Sequence, residues 1–174
     1  MKKNRIIFVS GIHGVGKGTI CKNLAQKFNF NHLTASEVLK WDEISDLNNK
    51  KVKNISSTQD RLINNLKRII EPNQKYLLDG HFVLLNSKNV PTKIEEGTFE
   101  GINPVSIILI TCETKVILKR LKNRDNSNYD LSILKKMQEM EIEHATYISN
   151  KLKIPLIEVK NNNTKSLFRY LESL

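Results

Sequence analysis

Cysteine is scarce in this chain of 174 residues, and long apolar runs are missing. The two cysteines, Cys21 and Cys112, offer neither the close spacing of a metal site nor a disulfide framework, which points to a reduced, cytoplasmic protein. No segment approaches the roughly 18–20 uninterrupted apolar residues that cross a bilayer. The longest, Val105–Thr111, has the length of a buried strand, so no membrane association is expected. Met1–Arg5 followed by Ile6–Val9 imitates the start of a signal peptide, but the apolar stretch is too short and passes at once into a glycine motif. Internal repeats and a domain linker are lacking too. The length, with 39% hydrophobic residues, favours one domain over residues 1–174 with a real core. Arginine is rare, six residues in all, yet Lys and Arg together number 28 against 18 acids, a net charge of +10. These bases are spread along the whole chain, which fits a lysine-rich solvated surface. A basic face for nucleotides or nucleic acid stays open, because net charge does not separate the two.

What is present alternates between strand and helix. Arg5–Ser10 is a short β-branched run that reads as a buried strand. Ile20, Leu24 and Phe28 then repeat at helical spacing from about Gly16. Asn31–Leu33 reads as a second strand, with Thr34 or Ser36 capping a helix that carries Val38, Leu39 and Trp41. Asp42–Ser57 is polar and weakly periodic. From Thr58 a good apolar stripe runs through Leu62, Leu66 and Ile69 to Pro72. Lys75–Asp79 is a strand that ends in an acid, and His81–Asn103 reads as loop. Val105–Thr111 is a strand, Thr114–Asn123 and Asp130–Leu152 are helices around a short polar loop, Pro155–Val159 is the last strand, and Thr164–Leu174 closes the chain as a helix. The expected fold is therefore α/β: a five-stranded parallel sheet with helices on both faces, three layers in all.

The segment Ser10-Gly11-Ile12-His13-Gly14-Val15-Gly16-Lys17-Gly18-Thr19 fits G-x-x-x-x-G-K between a strand and a helix. Glycines let the backbone wrap around phosphates and turn its N–H groups inward. The helix N-terminus adds the positive end of its dipole, and Lys17 brings a mobile charge to the β- and γ-phosphates. The residue after the lysine is Gly18 where serine or threonine commonly binds Mg²⁺; Thr19 comes one later. His13 reads either as a phosphate contact or as a solvent-facing side chain.

Gly14-Val15-Gly16-Lys17-Gly18-Thr19 resembles the loop of adenylate kinases and related P-loop nucleoside monophosphate kinases, which also place Gly-Thr after the lysine. His32-Leu33-Thr34-Ala35-Ser36-Glu37-Val38-Leu39-Lys40 is similar to the segment that lines their acceptor site. By that resemblance Thr34 faces the acceptor base, and Lys40 replaces the arginine that grips its phosphate. Tyr76-Leu77-Leu78-Asp79-Gly80-His81 resembles the strand whose aspartate orients Mg²⁺ and its waters. The family's next arginine is absent here. Asp79-Gly80-His81 looks closer to the Asp-x-His of archaeal-type adenylate kinases and of a related ribosome-assembly ATPase, in which the histidine is linked to catalysis; a purely structural histidine is the alternative. Arg120 and Arg124, four apart on one helix face, resemble the lid arginines, with surface ion pairing as the alternative. The segment around 120–130 is too short for a large or zinc-binding lid.

The resemblance implies an enzyme that uses ATP and Mg²⁺. Gly11, His13, Gly14, Val15, Gly16, Lys17, Gly18, Thr19 and Arg120 would bind ATP; Thr19 and Asp79 would hold the metal; Lys17, Asp79, His81, Arg120 and Arg124 would be catalytic. Thr34, Lys40, Gly80 and His81 would bind the acceptor, a nucleoside monophosphate, within an excursion of about residues 34–61; Arg61, on the same side of the fold though in no matching motif, would supply the missing grip on its phosphate. Two alternatives stay open: an ATPase switch acting with a protein or RNA partner, and a kinase of a nucleic-acid end or small metabolite. No motif supports a nucleic-acid or protein partner.

Overall fold

The computed structural model describes residues 5–40, 55–125 and 129–174. Its centre is a parallel sheet of five strands: β1 (Arg5–Ser10), β2 (Asn31–Thr34), β3 (Lys75–Asp79), β6 (Ser106–Thr111) and β7 (Leu156–Lys160). The spatial order is β2-β3-β1-β6-β7. β1 and β6 carry almost unbroken buried apolar residues because both of their faces are covered. Along β1 the pleat sends Ile7 and Val9 to one layer and Ile6 and Phe8 to the other.

Helices α1 (Lys17–Phe28), α5 (Thr114–Asp125) and α7 (Lys165–Glu172) cover the first layer through Leu24, Ile117, Leu121, Leu167 and Leu171. Helices α2 (Ala35–Leu39), α3 (Ile55–Ile69) and α4 (Glu96–Ile102) cover the second through Val38, Leu62, Leu66, Phe99 and Ile102. The long α6 (Leu131–Leu152) serves both: Leu134 and Met137 belong to the first cluster, Ala145 and Ile148 to the second. Asp130 caps it, accepting from the Ser132 N–H at 2.7 Å.

All five strands lie where the sequence places them. The stretch His81–Asn103 differs from the loop expected of it. It holds an antiparallel hairpin, β4 (Val83–Leu85) with β5 (Pro91–Lys93), followed by α4. Three-residue strands carry too little alternation to be seen, and the two glycines of α4 disguise a helix. Gly101 is there because a Cβ would lie 2.6 Å from Ile63 Cδ1, where α4 crosses α3. α3 begins at Ile55, ahead of the expected Thr58. Of the expected acceptor excursion, residues 41–54 lie outside the described residues, as do 126–128 of the short lid. Among the described residues, no helix is long and apolar enough to cross a membrane.

The register places the chemistry. Val9 and Thr34 both pair with Asp79, and the Gly80 N–H donates to Val9 O at 2.9 Å. The ends of β1, β2 and β3 therefore stand level, and whatever follows them faces one crevice at the carboxyl edge of the sheet, where ligands of open α/β sheets bind.

Candidate active site

Between β1 and α1 the chain turns through Gly11, Gly14 and Gly16, with φ of +145°, +80° and +106°. At Gly14 a Cβ would lie 2.8 Å from Leu121 Cγ, so this position requires glycine for its backbone and for its neighbour. Gly16 caps α1, with no side-chain acceptor on the first-turn amides and no acid in that turn. The helix thus presents an uncompensated positive end to the crevice. Lys17, buried at 8% exposure, donates from Nζ to Gly11 O at 2.7 Å and lies 3.8 Å from Asp79 Oδ1. Burial lowers its pKa, and the nearby Asp79 and Glu141 carboxyls oppose that shift.

Asp79 ends β3. Burial raises its carboxyl pKa despite the attraction of Lys17 and His32. Neither partner is at hydrogen-bonding distance: His32 Nε2 lies 4.0 Å from Oδ2 and is itself buried without a hydrogen-bond partner. Thr19 and Asp79 line the same crevice and offer hard oxygen donors, the set that suits Mg²⁺. Behind them sits Cys21, whose thiol burial pushes up to about 12, so it stays neutral beside the aspartate. Its sulfur lies with His32 and Asp79 ligand atoms in a group spanning 4.8 Å, a proximity that its place in the sequence does not disclose.

The crevice continues as a cleft of about 550 Å³. Among the expected residues, His13, Gly14, Gly16, Lys17, Gly18, Thr19, Thr34, Asp79, Gly80, His81 and Arg124 line it, joined on the acceptor side by Phe8, Gln59, Leu84, Ile94 and Thr98. Gly11 and Val15 form the buried underside of the loop. Arg120 is folded onto the loop and donates from Nη1 to Val15 O at 3.1 Å. Lys40 and Arg61 are not part of this lining. Lys40 is exposed and ends α2 in the left-handed conformation. Thr34 is held firmly: its Oγ1 accepts from the Glu37 N–H, and Glu37 Oε2 accepts from the Thr34 N–H, both at 3.2 Å.

His13 is exposed at the loop but packs against His81, with ring centroids 4.2 Å apart and ring planes tilted by 44°. Burial, the Lys17 ammonium and His13 hold the His81 pKa well below its usual value, so the ring is neutral at pH 7. His81 Nδ1 is buried without a hydrogen-bond partner. The structure thus joins the two histidines that the sequence separates, at the junction of phosphate loop and acceptor side.

Sequence reasoning missed Glu141, which is 1% exposed. Its Oε1 accepts from the Gly11 N–H at 3.0 Å and the Phe82 N–H at 2.9 Å; Oε2 accepts from the Val83 N–H at 2.8 Å. Burial pushes its pKa up to about 7 against the pull of these N–H groups and of Lys17. A signal was available. Leu134, Met137, Glu141, Ala145 and Ile148 lie on one buried helical stripe, and an acid inside such a stripe marks a buried carboxylate.

Comparison with known proteins places the chain in a family and gives likenesses of sequence and fold. The family model for an AAA domain matches residues 10–138. UMP-CMP kinase 3 of Oryza sativa subsp. japonica is 27% identical over 94% of this chain and 77% of its own length. Adenylate kinase 1 of Schistosoma mansoni is 29% identical over 74% of this chain and 68% of its own. A gluconokinase from Sinorhizobium meliloti 1021 superposes with a TM-score of 0.56 at 10% identity, covering 99% of this chain and 91% of that one, a likeness of fold.

Proposed function

Because this chain belongs to the AAA domain family and is a P-loop kinase, we propose that it transfers the γ-phosphoryl group of ATP to a nucleoside monophosphate. The observation that carries this reading is the convergence of Lys17, Asp79 and Thr34 on one cleft. A donor bound at the loop and an acceptor beside α2 then meet over Asp79.

Phosphoryl transfer asks little covalent chemistry of the protein; positioning and charge stabilisation dominate. The Gly11–Thr19 backbone and Lys17 hold the β- and γ-phosphates. Lys17 exchanges its contact with Gly11 O for phosphate oxygens. Thr19 and Asp79 would hold Mg²⁺, which supplies charge neutralisation across the phosphate oxygens. Arg120 and Arg124, one helical turn apart, reach from α5 toward the migrating phosphoryl group. Thr34, fixed by its capping box, contacts the acceptor with Gly80 and neutral His81. Lys40 and Arg61 keep the acceptor phosphate as their assigned ligand, a role that requires them to swing toward the cleft. Closure of α2 and α5 over the cleft, within one domain, would exclude water. Two free thiols fit a reducing cytoplasm.

A second reading, ATP hydrolysis coupled to a protein or RNA partner, draws on the unpartnered His81 Nδ1 beside the loop. Labelled ATP offered with a panel of nucleoside monophosphates separates them. Label on a monophosphate supports the proposal. Label released only as inorganic phosphate selects the ATPase, and transfer only to an oligonucleotide end or a sugar acid selects another acceptor.

A further inference from the structure

Glu141 has no place in the reaction as described, yet it holds together the two segments that the reaction needs. Past Gly80 the ladder between β1 and β3 ends. From there a single carboxylate takes over. Oε1 accepts from both Gly11, on the phosphate loop, and Phe82, on the acceptor-side turn, while Oε2 accepts from Phe82 at 3.0 Å and from Val83.

The same helix grips the acceptor wall a second time. The Ile94 N–H donates to Phe82 O at 2.9 Å, and Ile94 O contacts His144 Nε2 at 2.7 Å, one turn along α6 from Glu141. Ile94 and Leu84 in turn line the cleft. We propose that Glu141 is a positioning residue that clamps the phosphate loop to the turn Phe82–Val83, so that nucleotide arriving at the loop is registered at the acceptor wall. The inference rests on the ATP-dependent reading above.

The chemistry asks for a carboxylate. Three N–H groups converge on it, and hydrogen bonds to an ionised acceptor are the strong kind. A glutamine in its place turns an NH2 donor toward at least one of these donors. An aspartate keeps the charge but is one methylene short.

The test is an amide NMR titration of the full chain with Mg²⁺ and a non-hydrolysable ATP analogue. Gly16, Lys17 and Gly18 line the cleft and report binding directly; Gly11, Phe82 and Val83 do not line it, so a response at these three is transmitted. In the wild type, Gly11, Phe82 and Val83 should shift along one binding curve. In Glu141→Gln, Gly11 should still shift, Phe82 and Val83 should stay still, and affinity should fall by about tenfold or more, the scale of one hydrogen bond to a charged group. Glu141→Asp should restore part of the Phe82 response. A purely structural glutamate would lower thermal stability and leave shifts and affinity of the folded protein alone; that result overturns the proposal. If Glu141→Gln does not fold, the wild type decides: response at Gly11 without response at Phe82 and Val83 overturns the clamp by itself. A wild type silent at Gly11 while Gly16, Lys17 and Gly18 respond overturns the clamp, and silence at all four overturns the ATP reading with it.

Discussion

Replacing Glu141 by glutamine should change how stability depends on pH, in a direction opposite to that of a salt-bridged acid. In the unfolded chain this carboxyl titrates near 4.5; in the native protein burial pushes it up to about 7. Between those values the native state keeps a proton that the unfolded state has released. Stability from this group is therefore complete below about pH 4.5, falls as pH rises, and is lost above about 7. At about 1.4 kcal/mol per unit, the interval amounts to roughly 3 kcal/mol. Buried His81 and His144 act oppositely, since their lowered pKa values cost stability as pH falls below about 6.5. The wild-type curve mixes these slopes, but their difference from the variant isolates Glu141, because the histidines remain in both proteins. Urea denaturation of wild type and Glu141→Gln at pH 5 and pH 8 measures it. Because the unfolded carboxyl is already largely ionised at pH 5, the variant should gain about 2.5 kcal/mol relative to wild type between the two conditions. Parallel stabilities at both pH values would refute the argument that burial outweighs the three N–H donors.

Other predictions concern the loop and the lid. Lys17→Ala should lower ATP turnover by about 10²–10³-fold or more, the loss typical of one charge-stabilising donor in a water-excluded site, as steady-state kinetics will read. Arg120→Ala should lower kcat more than it raises KM for ATP; a rise in KM alone would make Arg120 a ground-state contact. Gly14→Ala should destabilise by about 2–5 kcal/mol in urea, combining left-handed strain with overpacking against Leu121.

The sheet was legible because buried parallel strands such as Ser106–Thr111 read as short β-branched runs bounded by polar turns. The loop was legible because only glycine tolerates the φ values at Gly14 and Gly16, and lysine must follow. The hairpin from Val83 to Lys93 was hidden by its length, and α4 by glycines that serve helix contact. The contact of His13 with His81 and the cluster around Cys21 depend on the register of β1, β2 and β3, which no local pattern encodes. Glu141 was lost among Glu139 and Glu143, exposed neighbours on the same helix; only the phase of the apolar stripe sets it apart. Lys40 shows the limit of resemblance, since a matching position along the chain does not bring its side chain into the cleft, and Arg61, placed on the acceptor side by the fold alone, does not line it either.

The central claim is that the backbone from Gly11 to Thr19, with Lys17, captures the phosphates of ATP. Calorimetric titration of the wild-type chain with ATP and Mg²⁺ tests it most directly. The account predicts a saturable one-to-one isotherm that Lys17→Ala weakens severely; absence of binding heat across temperatures, with no rise in Tm on adding the nucleotide, would contradict it.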